Sequence, residues 1–252
     1  EQLKVHDKLQ KDFINIAAHE LRTPIHPLLL SAEALRRMMP NDQIVSIIYR
    51  NAKKLQILAN DLLDASRIEN QSLRLNREKI NLNDMILLAL RDIKTQMMRG
   101  DLRLLYEHDD AKERDIFVDA DKEKINQVIC NLLSNAVKFT KSGTITISVA
   151  IQNIEETTMK STNYNKNSIS RDMTKDEKVQ VIVSVKDTGT GIDPQIIPKL
   201  FSKFATKSFD GTGLGLFISK SLINAHGGKM WAKNNQDGKG ATFAFSLPIS
   251  SF

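Results

Sequence analysis

Asn131-Leu132-Leu133-Ser134-Asn135-Ala136-Val137-Lys138-Phe139 closes a helical stretch that begins after Asp121. Asn131 and Asn135 are one helical turn apart and face the same way, and Lys138 follows at the next step of three. Two carboxamide oxygens and an ammonium on one stripe suit a hydrated magnesium ion and a polyphosphate, because Mg²⁺ takes oxygen ligands and keeps several waters. Taken alone, the stripe reads equally well as a polar face turned to solvent. Its surroundings decide the fold. Leu102–Tyr106 and Ile116–Asp119 before it, and Thr144–Ala150, Val179–Lys186, Lys229–Lys233 and Thr242–Leu247 after it, read as strands. Asn83–Met98, Lys122–Lys138 and Leu214–Ala225 read as helices. Helices over one mixed sheet make an α+β sandwich. The polar stretch from Ile151 to Lys178 has no period and is expected to be a long, mobile hairpin loop.

Upstream the pattern is purely helical. Leu9, Phe13, Ile16, Ala17, Leu21, Leu28, Leu35 and Met38 return to one side at spacings of three or four. After the break at Pro40-Asn41-Asp42, Ile44, Ile47, Ile48, Leu55, Leu58, Leu62, Ala65 and Ile68 form a second stripe that runs to about Asn70. Two helices cannot bury both stripes alone, so the expected solution is a homodimer whose paired hairpins form a four-helix bundle. Pro24 and Pro27 remove amide donors inside the first helix and predict a kink there. Asn70–Asn81 lacks a continuous stripe and reads as the hinge.

Three further constellations could carry chemistry. His19-Glu20-Leu21-Arg22-Thr23-Pro24 puts an imidazole beside a carboxylate on the first helix. A lone helical histidine is more often a surface or core residue; as a nucleophile it would need one ring nitrogen exposed and a carboxylate to manage the other proton. Asp187-Thr188-Gly189-Thr190-Gly191 follows the apolar run Val181–Val185, and Gly211-Thr212-Gly213-Leu214-Gly215-Leu216 opens a helix. Glycines allow close backbone approach, and free amides at a helix start favour anions. The second loop fails the dinucleotide fingerprint because no strand leads into it and residue 216 is Leu. Neither loop closes with the Gly-Lys-Ser or Gly-Lys-Thr of a Walker site.

Composition narrows the field. The 252 residues are 41% apolar and 26% charged, which is globular material with one or two cores. A net charge of +6, interspersed signs and only ten Phe, three Tyr and one Trp argue against nucleic-acid binding. Leu28-Leu29-Leu30 and Val179–Val185 are far short of the roughly 18 apolar residues of a membrane span, so no direct membrane insertion is expected. A single cysteine, Cys130, excludes an internal disulfide and fits a reducing compartment. The chain starts at Glu1 without Met or a signal-peptide pattern, and is expected to be a fragment of a longer protein.

Taken together and in this order, the motifs at His19, Asn131, Asp187 and Gly211, with Leu200-Phe201-Ser202-Lys203-Phe204 between the last two, resemble the cytoplasmic core of sensor histidine kinases of two-component systems. They look like that family's H, N, first glycine, phenylalanine and second glycine boxes, and the likeness runs from about residue 8 to residue 248. It implies a dimerisation and histidine-phosphotransfer hairpin over residues 1–72. A catalytic domain over 73–252 would follow, with the Bergerat-type ATP-binding fold shared with gyrase and heat-shock chaperone ATPases.

The resemblance also implies roles. His19 would accept the γ-phosphoryl group of ATP, with Glu20 taking or orienting the imidazole proton. Asn135 would ligate Mg²⁺, Asn131 would support that site and Lys138 would contact phosphates. Asp187 would accept a hydrogen bond from the adenine amino group, Gly189 and Gly191 would let the backbone pass the base, and Phe139 would lie against it. Gly211, Gly213 and Gly215, with Thr212 and Leu214 between them, would form the hinge and amide cradle of a lid. Thr23, four positions after His19, matches a residue that in some members places a water for dephosphorylating the partner, which adds a phosphatase to the expectation. The implied partner is a response-regulator receiver domain carrying an acceptor aspartate, and an upstream sensor domain would bias the hinge. The implied location is cytoplasmic, as a soluble protein or as the inner part of a membrane-anchored receptor. The lid, Ala205 to Asp210, is shorter than the family's and lacks its Arg, leaving Lys203 or Lys207 to supply the cation. A nucleotide-gated scaffold is disfavoured because the histidine, its carboxylate and both Asn are present. A plain ATPase clamp is disfavoured because residue 131 is Asn, a poor base for activating water.

Overall fold

In the computed structural model the described residues are 2–96, 101–108, 115–154, 178–206 and 212–249; the side chains of 2–19, 95, 96, 108, 154 and 178 are not among them. The chain divides into two compact units, one of residues 1–75 and 193–221, the other of 76–192 and 222–252.

In the first unit, α1 (Gln2–Met38) and α2 (Gln43–Glu69) form an antiparallel hairpin. Helix α1 runs through Pro24 and Pro27, each of which lacks the amide hydrogen that would donate to the carbonyl four residues back. The turn is set by Asp42, whose Oδ1 accepts from the amides of Ile44 (2.8 Å) and Val45 (3.1 Å) and caps α2. Small buried residues, Ala32, Ala52 and Ala59, line the hairpin with Ile25, Val45 and Leu63. Their size lets the two helices approach closely. Arg22 crosses to α2, donating through Nε and Nη2 to Asn60 Oδ1 at 3.2 and 2.9 Å. Beyond α2, Gln71 takes a left-handed φ of 51° and the Ser72 amide reaches back to Arg67 O. The remainder of this unit includes the short 3-10 turn Ile197–Lys199 and most of α5 (Gly215–Ala225).

The second unit carries β1 (Arg77–Asn81), α3 (Leu82–Gln96), β2 (Leu102–His108), β3 (Phe117–Asp121), α4 (Lys122–Phe139), β4 (Gly143–Ile154), β5 (Lys178–Asp187), β6 (Lys229–Asn234) and β7 (Ala241–Pro248). Five strands form one mixed sheet in the order β2-β4-β5-β7-β6; β2 and β4 are parallel and the other pairs antiparallel. Alternation seals one face: Ile145, Ile147 and Val149 on β4 and Val181, Val183 and Val185 on β5 are buried. Ile125, Val128, Ile129, Leu132 and Leu133 of α4 are buried too, and α4 packs on β5 and beside α3. Fully burying each such side chain contributes about 1.5–3 kcal/mol.

Two expectations change. The segment read as a hinge over Asn70–Asn81 contains β1, which pairs with β3 in a separate two-stranded sheet, leaving only 70–76 without an element. The strands bounding the polar stretch run further than read, to Ile154 and from Lys178, and they pair directly as a hairpin; residues 155–177 lie outside the described set, as do the last two of the helix read to Met98. Among the described residues no helix is long and apolar enough to cross a membrane.

Candidate functional site

Helix α4 is aimed by its cap. The Asp121 carboxylate accepts from Lys124 N at 3.1 Å through Oδ1 and from Asn76 N at 2.9 Å through Oδ2, while its own amide donates to His226 Nε2 at 3.0 Å. At the other end of α4 the Asn135 Nδ2 donates to Asn131 Oδ1 at 3.4 Å, and both side chains are half-buried. That leaves Asn135 Oδ1 as an oxygen donor one turn beyond Asn131. No group of three His, Cys, Asp or Glu side chains among the described residues could hold a metal by itself. The donor set therefore fits a hard cation that arrives with its own phosphate ligands, since Mg²⁺ needs only one or two oxygens from the protein in that case. Lys138 and Phe139 are exposed, with the ammonium 5.6 Å from the ring centroid.

The first glycine loop folds back on the end of α4. Thr190 N donates to Phe139 O at 3.3 Å, and a side chain at Gly189 would overlap that carbonyl, which is why no residue but glycine fits. Gly191 adopts φ +72° beside Asn234, whose side chain exchanges two hydrogen bonds with the Ile192 backbone. Asp187 itself is 4% exposed. Its Oδ1 accepts from the amides of Gly189 (2.8 Å) and Ala241 (3.4 Å). Burial holds its carboxyl above the usual carboxylate range, and the two amides pull the other way. Thr140 Oγ1, next to this contact, is buried without a hydrogen-bond partner among the described residues.

The structure thus sets Gly189 and Thr190, just after Asp187, against Phe139 at the end of α4, with Asn135 and Asn131 one and two turns back along that helix. In the first unit, Glu20 and Thr23 are exposed on α1 beside His19, whose side chain lies outside the described set. Thr212 Oγ1 accepts from Leu214 N at 3.3 Å ahead of Gly215, where α5 starts. Gly213, at φ +69°, presses on the backbone of Phe204, with no room for a Cβ. Leu214 is buried and its carbonyl starts the helix by accepting from Ile218 N at 2.9 Å. Lys207 and Gly211 lie outside the described residues. Lys203, one of the two cations expected to serve the lid, is paired with Glu69 and stands over the Phe217 ring.

Sequence reading missed the residues behind Asp187. Asn235, Gly240 and Thr242, in and after the β6–β7 turn, are bound to it or to one another. Asp237-Gly238 signals the turn, but nothing in the sequence says which loop the turn will touch.

Comparison with known proteins agrees with this geometry. Residues 120–251 match the family of histidine kinase-, DNA gyrase B- and HSP90-like ATPases, and residues 9–71 match the His kinase A phospho-acceptor domain. The sensor histidine kinase WalK of Bacillus subtilis (strain 168) is 29% identical over 260 residues, covering 96% of this chain and 37% of that protein. The chain spans well under half of that relative's length. The crystal structure of full-length ShkA in complex with AMPPNP has the same fold, with a TM-score of 0.68 at 23% identity over 96% of this chain and 46% of that one. The catalytic domain of histidine kinase ThkA superposes with a TM-score of 0.52 at 29% identity, over 70% of this chain and 99% of that one. With both domains matched in that order around the geometry described, the chain belongs to the sensor histidine kinases of two-component systems and carries their phospho-acceptor and ATP-binding domains.

Proposed function

We propose that this chain, as a homodimer, transfers the γ-phosphoryl group of ATP to His19 and then to an aspartate of a response-regulator receiver domain. The observation that carries the reading is Asp187. One carboxylate oxygen is held by two backbone amides, and the other has no protein donor among the described residues, so a buried acceptor faces whatever occupies the site. The 6-amino group of adenine is a matched donor. Phe139 would cover the base, with Gly189 and Gly191 letting the backbone close on it. Lys138 would meet phosphate, and Lys207 with the Gly211–Gly215 segment, Thr212 and Leu214 included, would close over the triphosphate. Asn135, supported by Asn131, would hold Mg²⁺, which when bound neutralises charge on the β- and γ-phosphates.

In the transfer, a ring nitrogen of His19 forms the P–N bond, the bond from the γ-phosphorus to the β–γ bridging oxygen breaks, and ADP leaves with that electron pair. Glu20 takes or orients the proton on the other ring nitrogen. Thr23, one helical turn after His19, would place a water for dephosphorylating the response regulator. The domain boundary that serves this chemistry lies at residue 72, with the phosphotransfer hairpin before it and the catalytic domain after it. The dimer is supported by the apolar side chains that the hairpin leaves exposed, among them Leu28, Leu30, Ile44, Ile47 and Leu55.

Incubation with ATP labelled on the γ-phosphate and Mg²⁺ tests the reading. Label that is acid-labile, alkali-stable and absent from His19→Gln is expected. A wild-type chain that binds ATP and never takes up label would overturn the kinase reading in favour of a nucleotide-gated scaffold.

A further inference from the structure

Asn235 commits every polar atom of its side chain around Asp187. Its Nδ2 donates to Asp187 O at 2.8 Å and to Lys239 O at 2.7 Å, and its Oδ1 accepts from Thr242 Oγ1 at 2.7 Å. Two carbonyls converge on one nitrogen, so the amide has only one workable orientation: turned over, its oxygen would face both of them. The residue is 9% exposed, and its own amide donates to Gly240 O at 3.1 Å, closing the β6–β7 turn. The turn then lies flat on Asp187. Gly240 has φ +75°, and a Cβ there would overlap the Asp187 carbonyl and stand 2.7 Å from Oδ1. The next residue, Ala241, supplies one of the two amides that hold Oδ1.

We propose that Asn235 is a positioning residue for base recognition, locking the Asp187 backbone and the β6–β7 turn so that the site selects a purine bearing a 6-amino group. The proposal rests on the reading of Asp187 as the base acceptor. Oδ1 is gripped from two sides, by Gly189 and by Ala241, and this grip sets the plane of the carboxylate and the direction of Oδ2. The Gly189 grip is local to its own loop. The Ala241 grip comes from another strand and depends on the Asn235 tie between that strand's turn and the Asp187 peptide. A carboxylate freed from the second grip can rotate, and its advantage for an amino group over a hydrogen or a carbonyl at the same purine position is lost. Shape and phosphate contacts, which treat all purine triphosphates alike, are unaffected.

The test is calorimetric titration of the whole chain with two nucleotides in Mg²⁺, ATP and purine riboside triphosphate, which has hydrogen in place of the 6-amino group. Stoichiometry reports the folded fraction and Kd reports the site, so partial misfolding does not mask the result. Asn235→Ala removes the tie. Asn235→Asp keeps the volume and puts a carboxylate against two carbonyls. The expected result is about a tenfold loss of ATP affinity in Asn235→Ala and a larger loss in Asn235→Asp, the scale of one charge-assisted hydrogen bond. Purine riboside triphosphate should stay within about twofold, the scatter expected where no contact is lost. Parallel losses for both nucleotides would mean a merely structural role and overturn the proposal, as would no change for either. A wild-type chain that binds the two nucleotides equally would instead overturn the reading of Asp187 itself, and this proposal with it.

Discussion

Along the hairpin, Leu28, Leu30, Ile44, Ile47 and Leu55 keep 47–69% of their surface exposed, whereas Ile125, Ile129, Leu133, Ile147 and Val183 of the second unit keep none. The hairpin is the richer of the two in aliphatic side chains, so the difference lies in what each architecture can enclose. Two antiparallel helices have a seam but no interior, and here the seam is filled largely by alanine. A sheet with helices on one face encloses a volume and can finish its own core. The hairpin therefore leaves an apolar face open, whereas the sheet and the helices packed on it close their own core.

The largest effect that could break this contrast is expected in the hairpin. Leu28→Asp combined with Ile47→Asp should raise the dimer dissociation constant at least about a hundredfold, since each lost apolar contact costs about 1.5–3 kcal/mol. ATP affinity should stay unchanged. Sedimentation and nucleotide titration read the two quantities separately, and a variant that remains dimeric would show that the exposed stripe is not the interface.

A smaller effect is expected from the opposite region. Ile129→Ala empties a fully buried position of α4 and should cost about 2–5 kcal/mol, through lost transfer energy and the cavity left behind. Denaturant titration should show an ATP-sensitive transition moving to lower midpoint while the hairpin dimer persists. If both are lost together, the units are not energetically separate.

The smallest effect sharpens the contrast by pH. His226 is buried, its Nδ1 bonded to Leu222 O at 2.7 Å and its Nε2 accepting from Asp121 N, an arrangement only the neutral ring satisfies. Burial, the leading cause, pushes its pKa below the ordinary 6.5; nearby Arg77 adds to this, while the Leu222 carbonyl, Asp121 and Asp119 oppose it. Unfolded chains then bind the proton first, so the stability contribution is whole above about pH 6.5 and falls as pH drops toward the lower folded value. Urea midpoints of the second unit should decline between pH 7.5 and 5.5 in the wild type and much less in His226→Gln. Equal slopes would show that the imidazole is not held neutral.

Much of this was legible from residues alone. The stripes from Leu21 to Ile68 announce a hairpin because amphipathic periodicity is a local property. Asn131, Asn135 and Asp187 were readable because their motifs sit within one helix turn or one loop. Strand β1 was not, since Arg77-Glu78-Lys79 is charged and exposed and only Ile80 of this strand is buried, so its pairing with β3 leaves almost no alternation to see.

What the sequence determined by itself was the list of chemical groups, their order, and which elements carry them, because these depend on neighbours three or four residues away. What only the tertiary structure decided was how Asp187 is held. Asn235, Gly240 and Ala241 lie some fifty residues further on, and only the antiparallel pairing of β5 with β7 and of β7 with β6 delivers their turn to that carboxylate. Sheet register is a long-range property, set when the apolar faces of several strands are buried together, and no local pattern contains it.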